Sequence, residues 1–246
     1  MAANPKTLRI LASHPEGSSA RALEIETIDG SPLAPTAGKY IIVNTGVVVG
    51  EKAIKRAYSL LPVPGVPHRA RLLVKRLGGP GSEVMHAAPV GTELSFSGPW
   101  GKLIAPGHDA PVSDGADAPR TLVVATDTGI TTALGIALHA STLSTCRVLE
   151  VLWLRSEDET FLDVDSVEAR IEQAGVRFVH AAVLPASDPN RVHTAWSHVD
   201  ARVAELGAEL VIASGDGAII HPLRTRWALP EVRIECYFHN PEKKSA

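Results

Sequence analysis

The feature that most constrains the fold is a change of period part-way along the chain. Before Pro106, apolar residues recur at every second position. Leu23-Glu24-Ile25-Glu26 and Leu94-Ser95-Phe96-Ser97 both alternate in this way, the pattern of half-buried strands. Short apolar runs at Leu8–Ala12, Tyr40–Val43 and Leu72–Val74 lie between Gly/Pro clusters at Gly30–Pro35, Pro62–Pro67 and Gly78–Gly81. Strands of this length and punctuation predict an antiparallel β-barrel or sandwich. After Pro119, apolar strands at Thr121–Thr126, Arg147–Leu154, Val176–Leu184, Glu209–Ser214 and Val232–Phe238 alternate with helical stretches. The first helix is expected over Ala133–Ser141. The second is capped by Asp165 or Ser166, carries Val167 and Ile171 and ends at Gly175. In the third, Val192, Trp196, Val199, Val203 and Leu206 fall on one face, and Ile219–Trp227 is the last. This alternation predicts a C-terminal α/β domain, a parallel sheet covered on both faces.

The stretch Pro106–Pro119 has no period and few large apolar groups. It divides the chain into a barrel domain (1–105), a linker (106–119) and a sheet domain (120–246). The 246 residues suit two modest domains. A net charge of −3 and a pI of 6.4 argue against a nucleic-acid partner bound by phosphate neutralisation. No apolar run approaches the ~20 residues of a membrane span. The run Val148–Leu154 is broken by Glu150, and the first ten residues lack an apolar signal core. A cytoplasmic protein is expected. The two cysteines, Cys146 and Cys236, exclude a four-cysteine zinc site or iron–sulfur cluster within this chain. His193 and His198 do not share a helical face, so no metal site is expected. Trp196 and Cys236 read as interior residues. The last seven residues, Asn240–Ala246, read as a solvated end, with a basic contact for an acidic carrier as the alternative.

Three motifs can carry chemistry. Arg56-Ala57-Tyr58-Ser59 ends a barrel strand. Its arginine can hold a phosphate, its tyrosine can stack on a flat ring from the same strand face, and its serine can donate to a ring nitrogen. Gly78-Gly79-Pro80-Gly81-Ser82 precedes one or two helical turns at Glu83–Ala88, a setting in which free N–H groups meet phosphate. Thr126-Asp127-Thr128-Gly129-Ile130-Thr131-Thr132 joins a strand to a helix, where a pyrophosphate meets helix N–H groups. Taken singly, each has an ordinary reading: a surface arginine beside a half-buried tyrosine, a β-turn, and a capped β–α loop. Ligands of parallel sheets bind at the carboxyl ends of strands. That directs attention to Thr126–Thr132, Arg155–Glu159 and Ser214–Gly217.

In their order, these motifs resemble those of the ferredoxin–NADP reductase superfamily, the flavin reductase module of oxygenase reductases and flavohaemoglobins. The matching stretches are Gly38-Lys39-Tyr40, the RAYS of Arg56–Ser59, the LLVKR that contains Leu73–Lys75, the GGPGS of Gly78–Ser82 and Ser97–Gly101. Ala125–Leu134, Ser214–Gly217 and the IECYF of Ile234–Phe238 follow. The resemblance implies an FAD-binding barrel (FMN being the lesser alternative) followed by a Rossmann-like domain for NADPH or NADH. It places Arg56 on the flavin's phosphate, Tyr58 against its ring and Ser59 toward N5. Leu73, Val74 and Lys75 pass backbone groups along the flavin chain, and Gly81 and Ser82 hold the pyrophosphate. Thr128 and Gly129 face the nicotinamide nucleotide's phosphates, and Arg155 and Ser156 its adenosine side. Ser214 and Gly215 flank the nicotinamide pocket. Tyr237 or Phe238 covers the other flavin face. Ser59, with Glu235 second, is the catalytic candidate, because the flavin itself accepts the hydride.

The resemblance also exposes departures. The family has glycine, proline and cysteine where this chain has Asp127, Thr132 and Ser214. A carboxylate beside a pyrophosphate repels it by ~1–4 kcal/mol, unless Asp127 turns away to cap the following helix. The implied activity is an NAD(P)H-dependent flavoprotein reductase serving a separate carrier such as an iron–sulfur protein. The alternatives are a non-catalytic flavin-binding protein on the same fold, or a reductase of free flavins or quinones.

Overall fold

The computed structural model describes residues 6–33, 37–101, 103, 118–139, 145–156, 161–183, 185 and 187–238. The first half is a seven-stranded antiparallel sheet. Its strands are β1 (Lys6–Glu16), β2 (Ala20–Thr27), β3 (Tyr40–Val49), β4 (Lys52–Ser59), β5 (Leu61–Pro62), β6 (Arg69–Lys75) and β7 (Glu93–Trp100), in the order β4-β3-β7-β1-β2-β6-β5. Alternation does what the sequence requires. Leu8, Ile10, Leu23, Ile25, Ile41 and Val43 turn inward to one core. Helix α1 (Pro80–Ala87) contributes Met85 to that core.

The second half is a five-stranded parallel sheet of β8 (Arg120–Thr126), β9 (Val148–Ser156), β10 (Arg177–Val183), β11 (Leu210–Asp216) and β12 (Glu231–Phe238), ordered β10-β9-β8-β11-β12. Both faces are covered. Val123 and Val151 lie with helices α2 (Ile130–Ala137) and α3 (Val164–Gln173). Leu122 and Leu152 lie with α4 (Arg191–Leu206) and α5 (Gly217–Ile220). The expected two-domain architecture, antiparallel barrel plus parallel α/β sheet, is therefore present. Glu150, the charge inside an apolar run, is buried and bidentate to Arg202, with Arg202 Nε and Nη2 2.7 and 2.5 Å from its carboxylate oxygens.

Local details differ from the sequence reading. The cap of α3 is Asp163, whose Oδ2 accepts from Ser166 N at 2.9 Å. A capping residue must keep extended backbone outside the helix, and Asp163 does (φ −70, ψ 129) while Asp165 is already in the first turn. The expected helix Ile219–Trp227 is the single α-turn of α5 followed by a 3₁₀ turn over His221–Thr225, which opens on Pro222. Most of the expected linker, and the tail Asn240–Ala246, fall outside the described residues.

The two sheets are not separate bodies with separate interiors. Leu61 and Leu73 of the barrel pack into the same buried cluster as Leu134 of α2 and Trp153 of β9. The approach is close enough to demand glycine. A Cβ on Gly135, in α2, would stand 2.9 Å from the Leu60 carbonyl oxygen. Gly135→Ala is therefore expected to cost about 1–3 kcal/mol through overpacking, read as a lower urea midpoint. An unchanged midpoint would show that the docking does not depend on this contact.

Candidate functional site

Strand β4 builds the barrel side of the site. Arg56 and Tyr58 are two apart and share a strand face, and Ser59 closes the strand, nearly buried. Arg56 Nη1 donates to the Lys55 carbonyl at 3.0 Å. Among the described residues no carboxylate pairs with Arg56. Opposite it stands the N-terminus of α1, where Gly79 is the N-cap without a side-chain bond and Pro80 occupies the first turn. The amides of Gly81 and Ser82 there have no intrahelical partner. Gly81 allows this approach, since a Cβ would lie 2.6 Å from Ile54 Cγ2 and 3.3 Å from Arg56 Nε. Ser82 Oγ donates to the Gly79 carbonyl at 2.9 Å and holds the loop closed. Burial pushes the Tyr58 phenol up to about 12 against the opposing charge of Arg56, so it stays neutral at physiological pH.

A cavity of about 250 Å³ lies between the domains. Arg56, Tyr58, Ser59, Leu73, Lys75 and Ser82 form its barrel wall. Thr128, Thr131, Phe161 and Tyr237 form the other. The Lys75 ammonium lies 5.9 Å from the Phe161 ring centre, a cation–π contact that bridges the domains. Tyr237 is half-buried, and its phenol is raised well above the ordinary tyrosine range by burial and by the Glu235 charge. Glu235, two residues back on the same face of β12, bonds the Tyr40 phenol and raises it together with burial.

The sheet side is held by buried charge. The turn Asp127–Gly129 joins β8 to α2. It lies directly on the end of β11, where a Cβ on Gly129 would stand 2.2 Å from the Ser214 carbonyl oxygen. Asp127 has φ 47, the sole positive φ outside glycine among the described residues. Its carboxylate does not cap α2, whose N-cap lacks a side-chain bond. Instead, Asp127 Oδ2 accepts from Arg191 Nη2 at 2.7 Å, and Oδ1 lies 3.5 Å from Ser156 Oγ. The other arm of Arg191, Nη1, reaches Asp216 Oδ2 at 2.6 Å. Asp216 in turn accepts from Ala218 N at 3.0 Å and donates its own amide to Thr126 Oγ1 at 2.7 Å. Side-chain exposures of 5% for Arg191, 14% for Asp127 and 3% for Asp216 place this carboxylate–guanidinium–carboxylate bridge out of water. It locks the carboxyl ends of β8 and β11 together.

About half of the expected residues meet at the cavity. Arg56, Tyr58, Ser59, Leu73, Lys75, Ser82, Thr128 and Tyr237 are on its wall, with Gly81 beneath Arg56. Others are not on that wall. Val74 alternates into the barrel core. Ser214 is 1% exposed and its hydroxyl donates to the Gly129 carbonyl at 3.0 Å. Gly215 (φ 128) fits where a Cβ would be 2.2 Å from Thr126 Oγ1. Ser214 and Gly215 shape the floor of the loop. Arg155 and Ser156 end β9, and Arg155 Nε is buried with no hydrogen-bond partner among the described residues. The Phe238 side chain lies outside the described residues. Sequence reasoning missed Tyr40, Thr131, Phe161 and Arg191. Tyr40 and Thr131 lay inside quoted motifs without a role of their own, and Arg191 left a signal as a cation four residues before Ala195 on the apolar face of α4.

No protein-family model and no curated protein matches the chain. Solved structures do. A ferredoxin–NADP+ reductase from Plasmodium falciparum superposes with a TM-score of 0.71 at 13% identity, covering 96% of this chain and 98% of that one. The chain has the ferredoxin–NADP reductase fold. A cytochrome P450 reductase from Amycolatopsis gives 0.69 at 21% identity, over 95% of this chain and 70% of that one. The flavohaem-like FAD/NAD-binding domain of a nitric oxide dioxygenase from Vibrio cholerae gives 0.65 at 14%, over 95% and 98%.

Arg191→Met keeps the length of the side chain but strands two buried carboxylates. It is expected to lower stability by about 3–5 kcal/mol in urea unfolding. A loss below ~1 kcal/mol would mean that the bridge is not what holds the two strand ends.

Proposed function

We propose that the inter-domain cavity holds FAD and that the chain is an NAD(P)H-dependent flavoprotein reductase serving a separate electron carrier. The observation that carries this reading is Arg56, a cation with no carboxylate partner among the described residues, facing the α1 N-terminus across a glycine that a Cβ would close. That cradle suits a phosphate by charge and by free N–H groups, and Tyr58 offers a flat neutral ring beside it. A bound flavin supplies the ring that accepts hydride and releases electrons to the carrier.

The chain's own work is binding, placement and the exclusion of water. Arg56, Gly81 and Ser82 hold the flavin's phosphates. Tyr58 stacks as a neutral phenol, and Ser59 offers a hydroxyl to the ring edge. Phe161 and Tyr237 cover the cavity from the sheet side. Thr128 and the start of α2 receive the nucleotide's phosphates, and Arg155 with Ser156 stands on the adenosine side. Arg191 pairs with Asp127 and lessens the repulsion a phosphate would meet, although the same guanidinium also serves Asp216. The carrier is proposed to be an iron–sulfur or haem protein. In support, the related folds include a reductase named for ferredoxin and one named for a cytochrome P450.

One observation favours a second reading. Within the buried bridge two carboxylates share one guanidinium, an excess of one negative charge among these three groups. A flavin-binding protein that takes no dinucleotide fits that excess. Anaerobic spectroscopy separates the two. Under the reductase reading the purified protein is yellow, and NADH or NADPH bleaches the flavin band. A yellow protein that neither nucleotide bleaches supports the second reading. A colourless protein that stays empty in excess FAD or FMN overturns both. Arg56→Ala is expected to weaken flavin affinity about 10- to 100-fold, the worth of a charged hydrogen-bonded contact, in titrations followed by flavin fluorescence.

A further inference from the structure

The two domains also meet away from α2, where the β1–β2 turn of the barrel sits on the start of α3. At Gly17 the approach is between backbones. The residue has φ 73, and a Cβ there would stand 2.8 Å from the Phe161 carbonyl oxygen and 3.3 Å from Leu162 Cα. One residue earlier, Glu16 bonds Arg170 of α3, 154 positions away in the chain. Their side chains are 15% and 29% exposed, so the pair is partly sheltered from water and from screening by salt. Beside it lies a cavity of about 260 Å³ walled by Pro15, Leu162, Ser166 and Val167. Around the pair, the domains therefore meet through charge more than through packed side chains.

The segment this turn grips carries Phe161 to the site. Its far end is fixed by Asp163, which caps α3 by accepting from Ser166 N. Its near end lies against Gly17. Phe161 is 1% exposed, and its ring walls the inter-domain cavity beside Leu73 and Lys75, 5.9 Å from the Lys75 ammonium. Lys75 pairs with Ala20, the first residue of β2 after the same turn. Two inter-domain contacts thus flank the cavity. The α2 contact with Leu60 lies next to Ser59, and the turn contact lies next to Lys75. Neither Glu16 nor Arg170 is among the described residues that wall the cavity.

We propose that Glu16 and Arg170 are positioning residues: their ion pair braces the β1–β2 turn against α3 and so holds Phe161 in the cavity wall, making flavin affinity depend on a contact outside the cavity. The brace itself rests on these contacts, and its link to flavin rests on the reading of the cavity as a flavin site. A ligand enclosed by two walls binds best when both are already in place. Breaking the pair lowers the fraction of molecules with Phe161 in place. The apparent dissociation constant then rises by the same factor.

The test uses Arg170→Met, Glu16→Leu and their double variant, with Arg170→Lys keeping the charge and Phe161→Leu removing the ring. Two measurements are made on the full chain. The first is fluorine NMR of the flavin-free protein, with fluorophenylalanine at its four phenylalanines. The Phe161 signal is the one that Phe161→Leu removes. It is expected to shift or broaden in Arg170→Met and Glu16→Leu and to stay near its parent position in Arg170→Lys. The second is flavin affinity, from fluorescence titration of the flavin-free protein. The dissociation constant is expected to rise about three- to tenfold in Arg170→Met and in Glu16→Leu, no further in the double variant, and little in Arg170→Lys. In the Phe161→Leu background, Arg170→Met is expected to add nothing, because the brace acts through that ring. An unmoved Phe161 signal in Arg170→Met, or equal behaviour of Arg170→Met and Arg170→Lys, overturns the brace. A moved signal with unchanged flavin affinity overturns its link to the flavin, as does an undiminished effect of Arg170→Met in the Phe161→Leu background. A parent protein that takes up neither FAD nor FMN defeats the reading of the cavity, and the fluorine signal still decides the brace.

Discussion

The close approach of helix α2 to both of its neighbours is the constraint on which the site depends. At one end, Gly129 lies against the Ser214 carbonyl. One turn and a half later, Gly135 lies against the Leu60 carbonyl. The helix is thereby clamped between β11 of its own domain and the end of β4 in the other. Thr128, Thr131 and Thr132 all hang on this segment. Their placement relative to Ser59 and Tyr58 follows from backbone contact rather than from flexible side chains. The shared buried cluster of Leu61, Leu73, Leu134 and Trp153 supplies the apolar burial that keeps the clamp shut.

Charge does different work on the two sides of the cavity. On the barrel side, Arg56 is presented with no carboxylate partner among the described residues, next to a helix N-terminus, so both the cation and the amides favour an anion. On the sheet side, the buried cation Arg191 is engaged by both Asp127 and Asp216. Such a bridge adds little net stability, because desolvation offsets attraction, but it fixes geometry strongly. It holds Asp127 at φ 47, a backbone conformation otherwise taken by glycine alone among the described residues. The carboxylate that looked like an obstacle in the sequence is part of the frame of the loop.

Much of the site was legible from residue order. Arg56 and Tyr58 had to share a strand face because two-residue spacing returns a side chain to the same side, with Ser59 next in the chain. Gly81 and Ser82 had to open a helix because Pro80 suits its first turn. Val74 turns its side chain into the barrel core while Leu73 and Lys75 line the cavity, because neighbours on a strand face opposite ways. Thr132 was legible only as a departure from the family pattern, because its hydroxyl partners lie 73 and 105 positions away in the chain. Phe161 carried no local signal, since an aromatic residue looks the same in sequence whether it fills a core or walls a cavity.

The amino-acid sequence by itself determined the period of each half, and with it an antiparallel barrel followed by a parallel sheet, because side-chain alternation and helical spacing are local properties. It also determined which chemical groups end β4, open α1 and join β8 to α2. Only the tertiary structure decided that the two halves share an interior, that Arg191 pairs with Asp127, and that Ser59, Thr132 and Tyr237 touch. Those outcomes depend on contacts between residues far apart in the chain, and distance in space is not written in local periodicity.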